Sequence, residues 1–191
     1  MARSPSLPKL CKHKATGQAY ATLDGTVVYF GKWGEPNTES AYQRKLAEFL
    51  ANGRRLPVNP NEITVCEVAA RYWKHADSYY RKPDGTPTST HRNIKRVLAD
   101  VNVLYGDLRA ADFGPLALRT LRQVWIDTGD DEKRLARKTV NDFTAEAKRM
   151  FKWAASFELV PAEVFQAVNT LAGLRRGRSE ARETEPIKPV P

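Results

Sequence analysis

Apolar and polar positions alternate early in the chain and then change period. Gln18-Ala19-Tyr20-Ala21-Thr22-Leu23 and Thr26-Val27-Val28-Tyr29-Phe30 read as two strands. The second is built from the β-branched and aromatic residues that suit a pleated surface. Asp24-Gly25 between them is a type I′ hairpin dipeptide, because both central residues of that turn need positive φ. A short strand near Lys9 to Lys14 completes three. Two strands alone are marginal in water, so the sheet needs a cover. The helix after Pro36 supplies it: Tyr42, Leu46, Phe49 and Leu50 recur at helical spacing, and Gly53 fits the C-cap.

From Thr64 onward the period is helical throughout. Thr64-Val65-Cys66-Glu67 is a capping-box start, and Val65, Val68, Ala69, Tyr72, Trp73, Ala76 and Tyr80 mark one face. Lys82 to Pro87 is a turn. A second helix runs from near Thr88 to Gly106, with Ile94, Val97, Leu98, Val101, Leu104 and Tyr105 inward. A third opens on Pro115, a favoured first-turn proline, with Leu118, Leu121, Val124 and Trp125 inward. A fourth spans about Arg137 to Glu158, and a short fifth follows Pro161. Arg54 to Glu62 holds two prolines and two asparagines within five residues, which argues against regular structure and marks a boundary. The fold class predicted is mainly α. A small β-β-β-α module covers residues 1–55, a linker 56–63, a four- to five-helix bundle 64–174 and a mobile linker 175–191.

Charge narrows the partner. The formal net charge is +9, which predicts attraction to polyanions and says nothing about fold. Residues 1–60 carry 9 basic and 4 acidic side chains, 61–175 carry 18 and 15, and 176–191 carry 4 and 3. The front is therefore the most basic part per residue, and any anion-binding surface in the bundle must come from clustering. No apolar run approaches the roughly 20 residues of a membrane span, and Met1 to Lys14 lacks the apolar stretch of a signal peptide. A cytoplasmic protein is expected, with Cys11 and Cys66 as free thiols. Cys11-x-His13 could supply two metal ligands, but a structural zinc needs four, so no metal and no cofactor is expected. Nor does any G-x-S-x-G or triad-like setting suggest a small-molecule enzyme.

Three stretches of the helical half resemble, in order, the SAM-like core-binding domain of tyrosine recombinases of the phage-integrase family. They are Thr64-Val65-Cys66-Glu67 through Tyr72-Trp73; Leu104-Tyr105-Gly106-Asp107-Leu108 with Asp112-Phe113-Gly114-Pro115-Leu116; and Lys138-Thr139-Val140-Asn141 through Arg149 to Ala154, closing on Glu158-Leu159-Val160-Pro161. The front module is similar to the small three-stranded arm-site-binding domains that precede core-binding domains. The resemblance implies double-stranded DNA as partner, with recombinase protomers on the same DNA as a second partner. It implies a bacterial or phage origin and a nucleoid association when bound. The family's catalytic half is a separate, following domain with a His-x-x-Arg cluster and a tyrosine nucleophile. His91-Arg92-Asn93-Ile94 does not match that cluster, and the chain stops at Pro191. DNA integration and recombination are thus implied for the family, and strand cleavage is not expected of this chain.

The fourth helix is the leading groove reader. Lys133, Arg134, Arg137 and Lys138 crowd its approach, a helix N-terminus favours phosphate, and about 20 residues reach about 30 Å along a major groove. Thr139 and Asn141 in its first turn could contact a thymine methyl or phosphate, and an adenine; the plain alternative is a solvated basic face. On the second helix, Thr88, Ser89, His91, Arg92 and Lys95 could contact phosphates, or Thr88 and Ser89 could simply be N-caps. Arg119 and Arg122 read as ordinary surface charge. In the front module Lys12, Lys14, Gln18 and Lys32 are the expected contacts of a basic sheet, whose aromatics Tyr20, Tyr29 and Trp33 could instead pack under the covering helix. Three rivals to an integrase fragment stay open: a free-standing regulator of recombination or transcription, a protein-interaction module that docks a recombinase, and RNA binding through the basic sheet.

Overall fold

The structure, a computed structural model, describes residues 6–129 and 134–184. The element order is β1 (Cys11–Lys12), β2 (Gln18–Leu23), β3 (Thr26–Lys32), α1 (Pro36–Ala51), α2 (Val65–Tyr79), α3 (Ser89–Tyr105), a 3₁₀ turn (Ala110–Asp112), α4 (Pro115–Asp127), α5 (Arg137–Ser156) and α6 (Ala162–Asn169). The fold is mainly α with one small antiparallel sheet. The chain divides into two compact units after Pro57.

In the first unit the sheet order is β1-β2-β3, antiparallel throughout. Asp24 and Gly25 both hold positive φ, 50° and 77°, between the paired residues Leu23 and Thr26. This is the backbone a type I′ hairpin requires. Alternation then sorts β2: Ala19, Ala21 and Leu23 are fully buried, whereas Gln18, Tyr20 and Thr22 face the other way. Helix α1 covers the first set with Tyr42, Leu46 and Phe49. A bulge between Ala19 and Tyr20 leaves Phe30 without a partner in the register. It turns that ring toward the helix, where it meets Tyr42 edge-on at 5.6 Å. Gly31 takes up the distortion at φ +115°, and a Cβ there would stand 3.1 Å from the Thr38 hydroxyl.

Helix α1 ends in a Schellman motif: Gly53 (φ +64°) donates its N–H to Leu50 O, and Arg54 donates to Phe49 O at 2.8 Å. Leu50, expected inward, is exposed. The inward stripe runs Thr38, Tyr42, Leu46, Phe49, and one further residue rotates the side chain about 100° away from it.

In the second unit all five helices share one apolar core. Its largest fully buried side chains are Trp125, Tyr72, Phe113 and Phe151. The Thr64–Glu67 capping box is closed in both directions. Ile63, placed in the linker by its asparagine- and proline-rich neighbours, is a core residue. Its carbonyl accepts from Ala110 N–H at 2.8 Å, so the unit begins before the cap. Leu104 and Val124, expected inward, are exposed.

The segment after Gly173, expected to dangle as a linker, instead folds back in its described part. Ala181 is buried in the core. Arg137 N–H donates to Arg182 O at 2.8 Å, and Arg182 pairs with Ala136 in a parallel bridge. The Arg- and Glu-rich composition concealed this, because the attachment also uses main-chain groups and one small buried apolar side chain, Ala181.

Candidate nucleic-acid interface

Among the described residues at the approach to α5, Arg137 is engaged within the protein and Lys138 is exposed. Lys133 lies outside the described residues. Arg134 is half-buried, and its carbonyl accepts from Arg182 Nε at 2.9 Å. Arg137 is the anchor of the returning segment: its guanidinium donates to Glu183 at 2.7 Å and to Leu174 O at 3.3 Å. That ion pair holds the Glu183 carboxyl below the ordinary glutamate range.

Asn141 is committed too. Its Nδ2 donates to Leu174 O at 3.0 Å, and its Oδ1 accepts Leu174 N–H at 2.8 Å. Both ends of the amide, expected to face an adenine, are thus bonded to one residue's main chain. The N–H of Arg137 is likewise already engaged, by Arg182 O. Among the described residues expected at this helix end, only Lys138 is exposed; Thr139 is half-buried.

Helix α3 looks different. Thr88 is its N-cap, accepting His91 N–H at 3.3 Å and donating its hydroxyl to Tyr80 O at 3.1 Å. The capping role therefore uses both its functions. His91 turns inward: its Nε2 pairs with Asp77 at 2.9 Å, and its ring packs on Trp73 at 4.8 Å. The His91 bond, with Arg81 behind it, holds the Asp77 carboxyl below its ordinary range. Ser89, Arg92 and Lys95 are exposed, and among the described residues Arg92 and Lys95 form no ion pair. Arg96, not among the contacts expected from sequence, continues the row. Its guanidinium sits 5.4 Å from the centroid of Phe143 on α5, a cation–π contact that fixes the charge beside α5. The i, i+3, i+4 spacing of Arg92, Lys95 and Arg96 was the signal available for it.

Arg122 donates to Ala172 O at 2.8 Å, and Lys148 donates to Leu171 O at 2.6 Å. Both cations therefore satisfy carbonyls just beyond the C-terminus of α6, where positive charge suits the helix dipole. Burial lowers the pKa of each, with repulsion from Arg119 on Arg122 and from Arg122 on Lys148 adding to it.

In the first unit, the register places Gln18 opposite Lys32 on the side of the sheet away from α1. Lys12 pairs with Ala19 and therefore points to the α1 side, off the open face where it was expected. Lys14 sits in the turn between β1 and β2. Tyr20 and Tyr29 are cross-strand partners on the open face, not packed under the helix. His13 joins them, its ring centroid 6.0 Å from Tyr20 and 6.1 Å from Tyr29.

Among the described residues no group of three or more His, Cys, Asp or Glu side chains could hold a metal ion, and no helix is long and apolar enough to cross a membrane. Cys11 and Cys66 are free and exposed. Compared with family models, with curated proteins and with solved structures, the chain gives no match.

Proposed function

We propose that the second unit binds double-stranded DNA through the outer face of α3, and that the chain acts as the DNA-gripping front half of a phage-type integrase. The observation that carries this reading is the row Arg92, Lys95 and Arg96: three exposed cations at i, i+3 and i+4 of one helix, the first two without an ion pair among the described residues and the third planted on Phe143. Exposed Ser89 precedes the row and exposed Lys138 on α5 adds to the positive side chains available. Such a row neutralises phosphates and sets register on a duplex without reading sequence by itself. The family assignment rests on the ordered motifs of residues 64–161. The reading assigns strand cleavage to no residue of this chain.

The test is a salt titration of duplex affinity for the wild type and for Arg92→Ala with Lys95→Ala. Each lost phosphate contact lowers the slope of log K against log salt by about 1, so the pair should lower it by about 2 and weaken binding to all sequences alike. An unchanged slope and affinity would reject the α3 face.

One feature favours a second reading, the protein-docking module. Tyr79, His75, Trp153 and Phe157 form a partly exposed ladder of rings on α2 and at the end of α5, with successive centroids 5.4, 5.6 and 4.9 Å apart. Duplex binding that survives charge reversal at Arg92 and Lys95, together with recombinase binding lost on Tyr79→Ala, would favour it.

A further inference from the structure

The open face of the sheet has a shape and a charge that the duplex reading does not use. Tyr20, Tyr29 and His13 form a closed triangle of rings, with centroids 6.0–6.1 Å apart and interplanar angles of 75°, 73° and 48°. None of the three pairs is stacked face to face. Tyr29 is 50% exposed and its neighbour Val27 48% exposed. The sheet does not need these rings for its core, because α1 covers the opposite side through Ala19, Ala21 and Leu23. Next to the triangle lies an open groove of about 320 Å³, lined by Lys9, Cys11, Tyr20 and Thr22 together with Ser6 to Pro8.

The charge around this face is one-sided. Lys32 and Gln18 stand at its edge, Lys14 follows His13, and Lys9 lines the groove. Three of the four carboxylates in the unit's described part, Glu35, Glu39 and Glu48, belong to α1 or its N-cap. The fourth, Asp24, is at the hairpin tip. A polyanion approaching the rings therefore meets cations.

We propose that this face is a stacking platform for the unpaired bases of a single-stranded nucleic acid. In a duplex the base faces are hidden in the stack and only their edges line the grooves, so a ring cluster with few donors gains little there. Unpaired bases offer their faces, and aromatic side chains on adjacent strands of a sheet are how such bases are taken up. Here Tyr29 and Tyr20 supply the stacking surface, Lys9 and Lys32 the phosphate contacts, and Gln18 a donor and an acceptor for a base edge. The site belongs to the first unit and is independent of the α3 face.

The test uses the full chain and a labelled oligothymidylate of about 12 nucleotides, with unlabelled duplex as competitor; an oligouridylate of the same length runs beside it. Binding of either strand that resists the duplex, falls about tenfold or more in Tyr29→Ala and holds in Tyr29→Phe supports the platform. Binding of neither strand, or a Tyr29→Ala affinity equal to wild type, overturns it. Photocrosslinking of the wild-type chain to an iodouracil-substituted strand gives a readout that needs no variant. Crosslinks within residues 9–32 support the site, and crosslinks confined to 58–184 overturn it. Arg92→Ala with Lys95→Ala leaves this binding within about twofold, so the two sites fail separately.

Discussion

The two units use the same residue types for opposite ends. In the second unit, Tyr72, Phe113, Trp125, Phe143 and Phe151 are all buried, and most of the aromatic content is packing, with Tyr79 and Phe157 as the exposed exceptions. In the first unit, only Tyr42 and Phe49 are buried among the aromatics, while Tyr29 and Trp33 are exposed and Tyr20 is partly so. A sheet covered on one side needs only every second residue for its core. Its other face is free to be chosen for something else. The cations divide in a parallel way. On α4 and α5 of the second unit, Arg122, Arg137, Lys148 and Arg149 are each bonded to the protein's own carbonyls or carboxylates. The α3 row is not. The comparison teaches that positive charge along a sequence marks a surface only after its internal partners have been subtracted.

The contrast in core size is tested most severely at Trp125. It is 1% exposed, its indole N–H donates to Asp100 at 2.8 Å, and its ring meets Phe143 edge-on at 5.6 Å. Trp125→Ala should cost about 3–5 kcal/mol by the rule for large buried aromatics, a large share of the total stability of an ordinary domain. Urea unfolding followed by circular dichroism checks this. A loss below about 1 kcal/mol would mean that the helices close over the gap and that the core is less tightly determined than its burial suggests.

Leu23 asks the same question of the smaller unit. It is fully buried among Ala21, Tyr42, Leu46 and Phe49, so there is little else to carry the load. Leu23→Ala should cost about 2–4 kcal/mol. Because the two cores are separate clusters, hydrogen exchange should show protection lost over residues 18–51 and kept in α2 to α6. Loss of protection in both units would break the comparison.

Asn141 sharpens the point about absorbed polar groups. Its amide makes the paired hydrogen bonds to Leu174 that hold the returning segment to α5. Asn141→Ala should cost about 1–2 kcal/mol. It should release Leu174 and speed tryptic cleavage at Arg175, Arg176 and Arg178. If Asn141 were a base reader and not a clasp, the variant would keep its stability and its cleavage rate.

Much of this was legible in the sequence, and the misses have a common cause. The Asp24-Gly25 turn, the Thr64 cap and the helical stripes are local, and local rules found them. The bulge at Phe30 and the turning of Tyr20 and Tyr29 to the open side depend on register, which alternation allows in two ways until the covering helix chooses one. The clasp between Asn141 and Leu174 spans 33 residues and is made to main chain, so no side-chain pattern announces it. Basic density selected α5 as the reader, when Arg137 is engaged by Glu183 and Leu174 O from the far end of the chain. Arg92 and Lys95, expected as phosphate contacts, are exposed, whereas His91 just before them is drawn inward by Asp77.

The smallest expected effect lies at the boundary between the units, where the second begins. Thr64 accepts Glu67 N–H at 3.3 Å, and Glu67 returns a bond to Thr64 N–H at 2.9 Å. Losing the cap in Thr64→Ala should cost about 1 kcal/mol. The carboxyl adds a pH signature. The bonds from Thr64 N–H and its hydroxyl hold Glu67 below the ordinary glutamate range. A lowered pKa in the folded state means that this increment of stability is complete above the unfolded-state value of about 4.3, and fades as pH falls through the folded value. Glu67→Gln cannot titrate there. The stability difference between wild type and Glu67→Gln should therefore be greatest at neutral pH and shrink in acid, with no comparable trend for Leu23→Ala in the other unit. A difference that grew toward low pH would show that the box is stabilised by the protonated acid, contrary to the direction of the shift.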